Sequence, residues 1–181
     1  MKDHGGFDHN KQSFRIVNEL EQRFADFCGL NLTWEVLEGM VKHESEYDIA
    51  DAKQFNPELR GHLEAQITNA ADELAFTAHD LDDGLHSGMI TAEMLSGNEI
   101  WEITTHDLNW KSCQMDDTMR HRIIRRLIGI EVTDFINQTD LNLRKSGIKS
   151  AEALQKLSFN VVSCSEDLRQ RNRQLKDFLF S

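Results

Sequence analysis

Asp72, Phe76 and Asp80 stand four residues apart within the segment Leu63 to Leu85. On a helix the positions i, i+4 and i+8 share one face, so this spacing stacks two carboxylates about two turns apart with a ring between them. The chemistry open to such a set is metal-assisted hydrolysis, provided that other elements complete a shell of three or four ligands. The segment continues through Asp82 and Asp83 before Gly84. Acids at a helix C-terminus oppose its macrodipole by roughly 0.3–1 kcal/mol each, which points to a use for them beyond solvation. A solvated acidic helix end explains the spacing equally well.

Eight histidines widen the set of candidates. His79-Asp80 and His106-Asp107 are adjacent His-Asp pairs, a metal-binding dipeptide, yet neighbouring helical residues diverge, so neither pair holds an ion without ligands from other helices. A packed or surface helical histidine explains His79, and a surface turn explains His106-Asp107. His43, His62, His86 and His121 have no partner at ligand spacing and are expected in solvent. His4 and His9 differ because they flank Gly5 and Gly6, where backbone can approach a ligand closely. Asp8-His9 sets a carboxylate beside an imidazole, an arrangement suited to general acid work on a phosphate oxygen, although a flexible histidine-rich start accounts for it as well. Lys42-His43 suits the dipole of the helix it ends. No Ser-His-Asp order, HExxH motif or Cys-His pairing points to other hydrolytic chemistry.

These residues need a helical frame, and the composition supplies one. The 181 residues carry one proline, ten glycines and a net charge of −11. That length fits a single helical domain over residues 1–181, able to bury a core. The negative charge argues against nucleic acid, whose phosphates need a basic surface. Cys28, Cys113 and Cys164 are widely separated and read as reduced core thiols of a cytoplasmic protein. No apolar run reaches membrane length.

Apolar periodicity predicts helices over Asn10–Phe27, from Thr33 as cap to Val41, over Leu63–Leu85 with stops at Gly84 and Gly88, and over Thr91–Leu95. Further helices are predicted from Asn98 to Leu108, from Met115 or Asp116 to Ile136, from Ser150 to Leu157, and onward from Ser165. The buried face of the long one is read as Met119, Ile123, Ile124, Leu127, Ile130, Val132 and Phe135. Asn142–Lys149 reads as a turn, and Phe159–Ser163 as a short extended piece.

Four segments in order, GGFDHNKQSFRIVNELEQRF, GLNLTWEVLEGMVKHE, LEAQITNAADELAFTAHDLDDGL and RRLIGIEVTDFI, resemble the bacterial deoxynucleoside triphosphate triphosphohydrolases, the dGTPase-like branch of the HD-domain superfamily. The resemblance implies an all-α, HD-domain-type helical bundle, often a homo-oligomer, that hydrolyses a deoxynucleoside triphosphate to deoxynucleoside and triphosphate. It implies that Asp72, in ADELAF, is the distant aspartate of a metal site otherwise made by a histidine and a His-Asp dyad. Asp80 then belongs to the nucleotide pocket near the sugar, His9 is the candidate general acid near the phosphates, and Lys42 is a candidate phosphate contact. Phe76 stands where these enzymes commonly carry a tyrosine, so one hydroxyl to the substrate is missing.

The family's first histidine and its dyad lie upstream of GGFDHN, and the family continues past LKDFLF. The chain therefore reads as truncated at both ends and, alone, as inactive. The implied cofactor is a divalent ion, Mg or Mn foremost with Fe or Zn also compatible, held weakly or not at all by this chain. The alternative is a non-catalytic helical module for nucleotide sensing or subunit association. Neither the preferred deoxynucleotide nor the metal follows from the sequence.

Overall fold

The computed structural model describes residues 9–42, 55–111 and 115–180, with residues 9 and 10 described by backbone alone. Among these residues there are seven α-helices and no strand: α1 His9–Arg15, α2 Trp34–Val41, α3 Leu63–Ser87, α4 Glu99–Asp107, α5 Asp117–Ser146, α6 Ala151–Gln155 and α7 Glu166–Leu179. The all-α expectation holds. No described helix is long and apolar enough to cross a membrane. The chain divides into two compact units, residues 1–69 with 147–161 and residues 70–146 with 162–181.

In the first unit the helix predicted to reach Phe27 stops at Arg15 and gives way to one wider turn over Ile16–Leu20, closed by the Glu21 N–H on the Ile16 carbonyl at 2.9 Å. The reason is non-local. Gly29 folds back so closely that a Cβ there would lie 2.4 Å from the Asn18 carbonyl oxygen, and its φ of +76° is open to glycine at little cost. The Leu30 N–H then takes the Val17 carbonyl at 2.7 Å. Phe24 and Phe27, placed on a helix face by their spacing, instead stack on each other in half-exposed positions, with ring centroids 4.7 Å apart. The core of this unit is Val41, Phe55, Leu154 and Val161, with the Trp34 ring 4.4 Å and the Phe14 ring 6.2 Å from that of Phe55. Thr33 precedes α2 without capping it by its side chain.

The second unit packs residues 70–87 of α3 with α4, α5 and α7. Its core is Ala78, Leu81, Leu95, Ile100, Trp101, Ile123, Ile124, Leu127, Leu168 and Leu175. Helix α3 runs through Gly84 and ends at Ser87, where Gly88 turns to φ +75°. Gly84 has a different task, because a Cβ there would meet the Ile90 side chain at 2.4 Å. The predicted Thr91–Leu95 helix is a run of turns, with Met94 N–H on the Thr91 carbonyl and Ser96 N–H on that of Glu93, each at 3.1 Å.

Helix α5 outruns its predicted end at Ile136 by ten residues and consumes most of the expected Asn142–Lys149 turn. Polar contacts hold this extension: Asn142 donates to the Ser163 hydroxyl at 3.0 Å and accepts from Gln138 at 2.9 Å, and Arg144 pairs with Asp140. Val132, read as buried, is exposed, while Glu131 beside it is fully buried. Phe159–Ser163 forms no strand.

Asn98, Ser150 and Ser165 cap α4, α6 and α7 as their residue types predict, each accepting a backbone N–H at 3.2 Å. Ser165 also donates its N–H and its hydroxyl to the Asp134 carboxylate, both at 2.7 Å. Ser165→Ala removes the cap and one of the Asp134 bonds, and is expected to cost about 1–2 kcal/mol in urea denaturation. An unchanged midpoint would show that α7 does not depend on this junction.

Candidate functional site

Asp72, Phe76 and Asp80 lie on consecutive turns of α3, within its second-unit part. At 1.5 Å per residue their ends are about 12 Å apart along the axis, so one ion cannot be bound directly by both carboxylates. Asp72 is exposed, and Phe76 is 57 % exposed. Asp80 is half-buried and has no hydrogen-bond or ion-pair partner among the described residues. The Phe76 ring is accompanied by that of Phe180 at the end of α7, with centroids 6.5 Å apart and planes 23° from parallel. One turn away, Lys176 of α7 pairs with Glu73 of α3. The accessible carboxylates and ring thus sit on a helix braced from behind by Ala78 and Leu81 in the core.

One of the two acids beyond Asp80 has a structural use. Asp82 pairs with Arg120 of α5, a guanidinium 8 % exposed that also reaches Asp117 at 3.4 Å. The hydrogen bond to Asp82 raises the Arg120 pKa, against a smaller opposing effect of burial. Asp83 remains exposed.

In the first unit the Lys42 ammonium is only 6 % exposed, pairs with Glu38 at 2.8 Å and donates to the Leu59 carbonyl at 2.9 Å. Gln155 donates to the other Glu38 oxygen at 3.0 Å. The ammonium has a third N–H beyond these two partners, but the side chain is buried, so a phosphate oxygen reaches it only if the cover over Lys42 opens. His9 begins α1, but its side chain lies outside the described residues, as do His4, Asp8, His43 and Cys113.

His62 was expected in solvent and is not. Its Nε2 lies 2.7 Å from the Glu35 carbonyl oxygen, so it donates there, and Nδ1 lies 3.1 Å from the Glu64 carboxylate and 3.3 Å from the Ala65 N–H in the first turn of α3. His79 and His106 are exposed, as is His86 beside Asp117 at 3.7 Å. Asp107 pairs with Arg126 rather than with its neighbouring histidine. Cys28 is an exposed free thiol, not a core one, and Cys164 is partly buried.

Among the described residues no three His, Cys, Asp or Glu side chains converge to hold a metal ion. The described part of the chain therefore does not by itself fit a divalent ion, and Asp72 is at most one ligand of a larger set.

An all-α protein with an exposed, ring-interrupted acidic row on a long helix is what the fold and the site define. No family model matches the chain. Over its whole length it is 42 % identical to a deoxyguanosinetriphosphate triphosphohydrolase-like protein of Geobacter sulfurreducens, covering 48 % of that protein. Over 99 % of the chain it is 42 % identical to the protein of the same name from Geobacter metallireducens, covering 48 % of it, and 39 % identical to that from Bartonella henselae, covering 49 %. Over its whole length the chain is similar to these deoxyguanosinetriphosphate triphosphohydrolase-like proteins, and it spans about half the length of the relatives it matches.

Proposed function

We propose that this chain is part of a metal-dependent deoxynucleoside triphosphate triphosphohydrolase of the HD-domain type, which takes dGTP or a related nucleotide to deoxynucleoside and inorganic triphosphate in the cytoplasm. The observation that carries the reading is the match along the chain to relatives named deoxyguanosinetriphosphate triphosphohydrolase-like protein. In this reading Asp72 supplies one metal ligand, and Asp80, about 12 Å along α3, accepts from the sugar. Phe76 packs its face on the nucleotide, His9 is the acid that meets the phosphates, and Lys42 contacts a phosphate oxygen through its remaining N–H. The remaining ligands come from beyond the described residues.

Triphosphate release from dGTP with added Mn or Mg tests the proposal. The chain alone is expected to give no turnover, because a single carboxylate leaves the ion mostly to water. Co-expression with the N-terminal half of a Geobacter relative is expected to restore hydrolysis. Robust turnover by the chain alone would mean that the ligand set is complete within it, and no turnover with the added half would remove the enzymatic reading. The half-exposed Phe24, Phe27 and Trp34 favour the second reading, a module for subunit association, which would then take its place.

A further inference from the structure

Helix α5 turns Ile123, Ile124 and Leu127 to the second-unit core, and its opposite face runs from Arg122 to Asp140. The middle of that outer face is apolar and open. Val132 is 41 % exposed and Ile136 63 % exposed. Thr133, beside Val132, turns its hydroxyl back onto the Gly129 carbonyl at 2.6 Å, so its polar atom is satisfied within the helix. Gly129 itself stands in the interior of a thirty-residue helix, where glycine is the least favourable residue after proline. Nothing lies within 4 Å of where its Cβ would be, so no packing inside the chain requires it. A missing Cβ on an open helix face leaves room for another backbone to come close.

The two ends of the same face are charged. Arg122 and Arg125 are exposed and have no hydrogen-bond or ion-pair partner among the described residues. Asp140 gives one carboxylate oxygen to Arg144 at 2.7 Å, which leaves the other free to accept. We propose that two copies of the chain associate on this face, α5 lying antiparallel to α5 about a two-fold axis level with Glu131. Arg122 and Asp140 are about five full helical turns apart and so lie on one line of the helix. Reversal about the axis sets Arg122 of each copy level with Asp140 of the other, and Gly129 level with Thr133. On the other side of the seam the two Val132 side chains meet, and the aliphatic stem of Arg125 covers Ile136 of the other copy. A parallel pair would instead set Arg122 against Arg122, where like charges repel. The contact is isologous and closes at two copies. It concerns association alone, and stands whether or not the chain serves the hydrolysis proposed above.

Sedimentation velocity of the full chain between about 5 and 300 µM is expected to show monomer passing to dimer, the micromolar range suiting a small contact. Gly129→Gln brings a better helix former into open space, so the helical spectrum and the urea midpoint should hold or rise. The dimer dissociation constant is nevertheless expected to rise about 30-fold or more, because the new side chain stands where the second backbone must come. Arg122→Asp and Asp140→Arg are each expected to weaken the dimer about tenfold, and the double exchange to recover most of that loss, since the charge pair re-forms reversed. A chain that stays monomeric throughout, or a dimer indifferent to Gly129→Gln, overturns the proposal, and a double exchange no tighter than the single ones overturns the antiparallel arrangement. A monomer that binds the N-terminal half of a Geobacter relative, and loses it on Gly129→Gln, also overturns the proposal and gives the face to that half.

Discussion

Leu81→Ala is expected to lower the unfolding free energy of the second unit by about 3–5 kcal/mol. Leu81 is 1 % exposed, and with Ile100, Trp101, Thr104, Ile123, Leu127 and Leu175 it closes a space with no room for a water molecule. These neighbours come from α4, α5 and α7, so no single side chain can relax into the vacancy, and the cavity adds its cost to the lost transfer free energy. Against a total stability of about 5–15 kcal/mol this is a large fraction. Urea denaturation followed by helical circular dichroism checks it, with Phe76→Ala as the exposed control at under about 1 kcal/mol. A loss below about 1 kcal/mol for Leu81→Ala would mean that this core is loosely packed.

Asp72→Asn in a turnover-competent assembly is expected to reduce kcat by about 10³-fold, the order of effect of removing several kcal/mol of charge stabilisation from a metal site. The substitution keeps the shape of the side chain, removes its charge and turns one acceptor oxygen into an N–H donor. Because Asp72 is exposed on α3, the helical spectrum and the urea midpoint should not change, which separates lost chemistry from lost fold. Asp80→Asn should act mainly on KM, since that group is proposed to bind the sugar. Turnover of Asp72→Asn within tenfold of the parent would mean that the metal ligand lies elsewhere. Activity of Asp80→Asn lost wholly in kcat would assign Asp80 to the reacting centre instead.

How much was legible in the chain follows the range of the forces involved. The caps at Asn98, Ser150 and Ser165 were readable because a cap is a contact within three residues, and all three accept the N–H their types predict. The row Asp72, Phe76, Asp80 was readable for the same reason, since helix geometry alone sets it on one line. The surroundings of that row were not. Nothing in Leu63–Leu85 says that Phe180, over a hundred positions on, brings its ring beside Phe76, or that Asp82 is engaged by Arg120.

The sequence by itself determined an all-helical chain, the course of α3, the starts of α4, α6 and α7, and the homology to which the comparisons attest. Each rests on local propensity, on short-range periodicity or on identity spread over many positions, none of which needs the third dimension. Tertiary structure decided where α1 stops, because the Gly29 backbone occupies the space beside Asn18, and how far α5 runs, because Asn142 finds Ser163. It also placed Glu131 in the core at a position where periodicity put apolar residues around it, buried the Lys42 side chain, and gave the partly buried His62 the Glu35 carbonyl as a partner. Those outcomes depend on which groups a buried donor or acceptor meets across the fold, and that requirement is absent from any window of sequence.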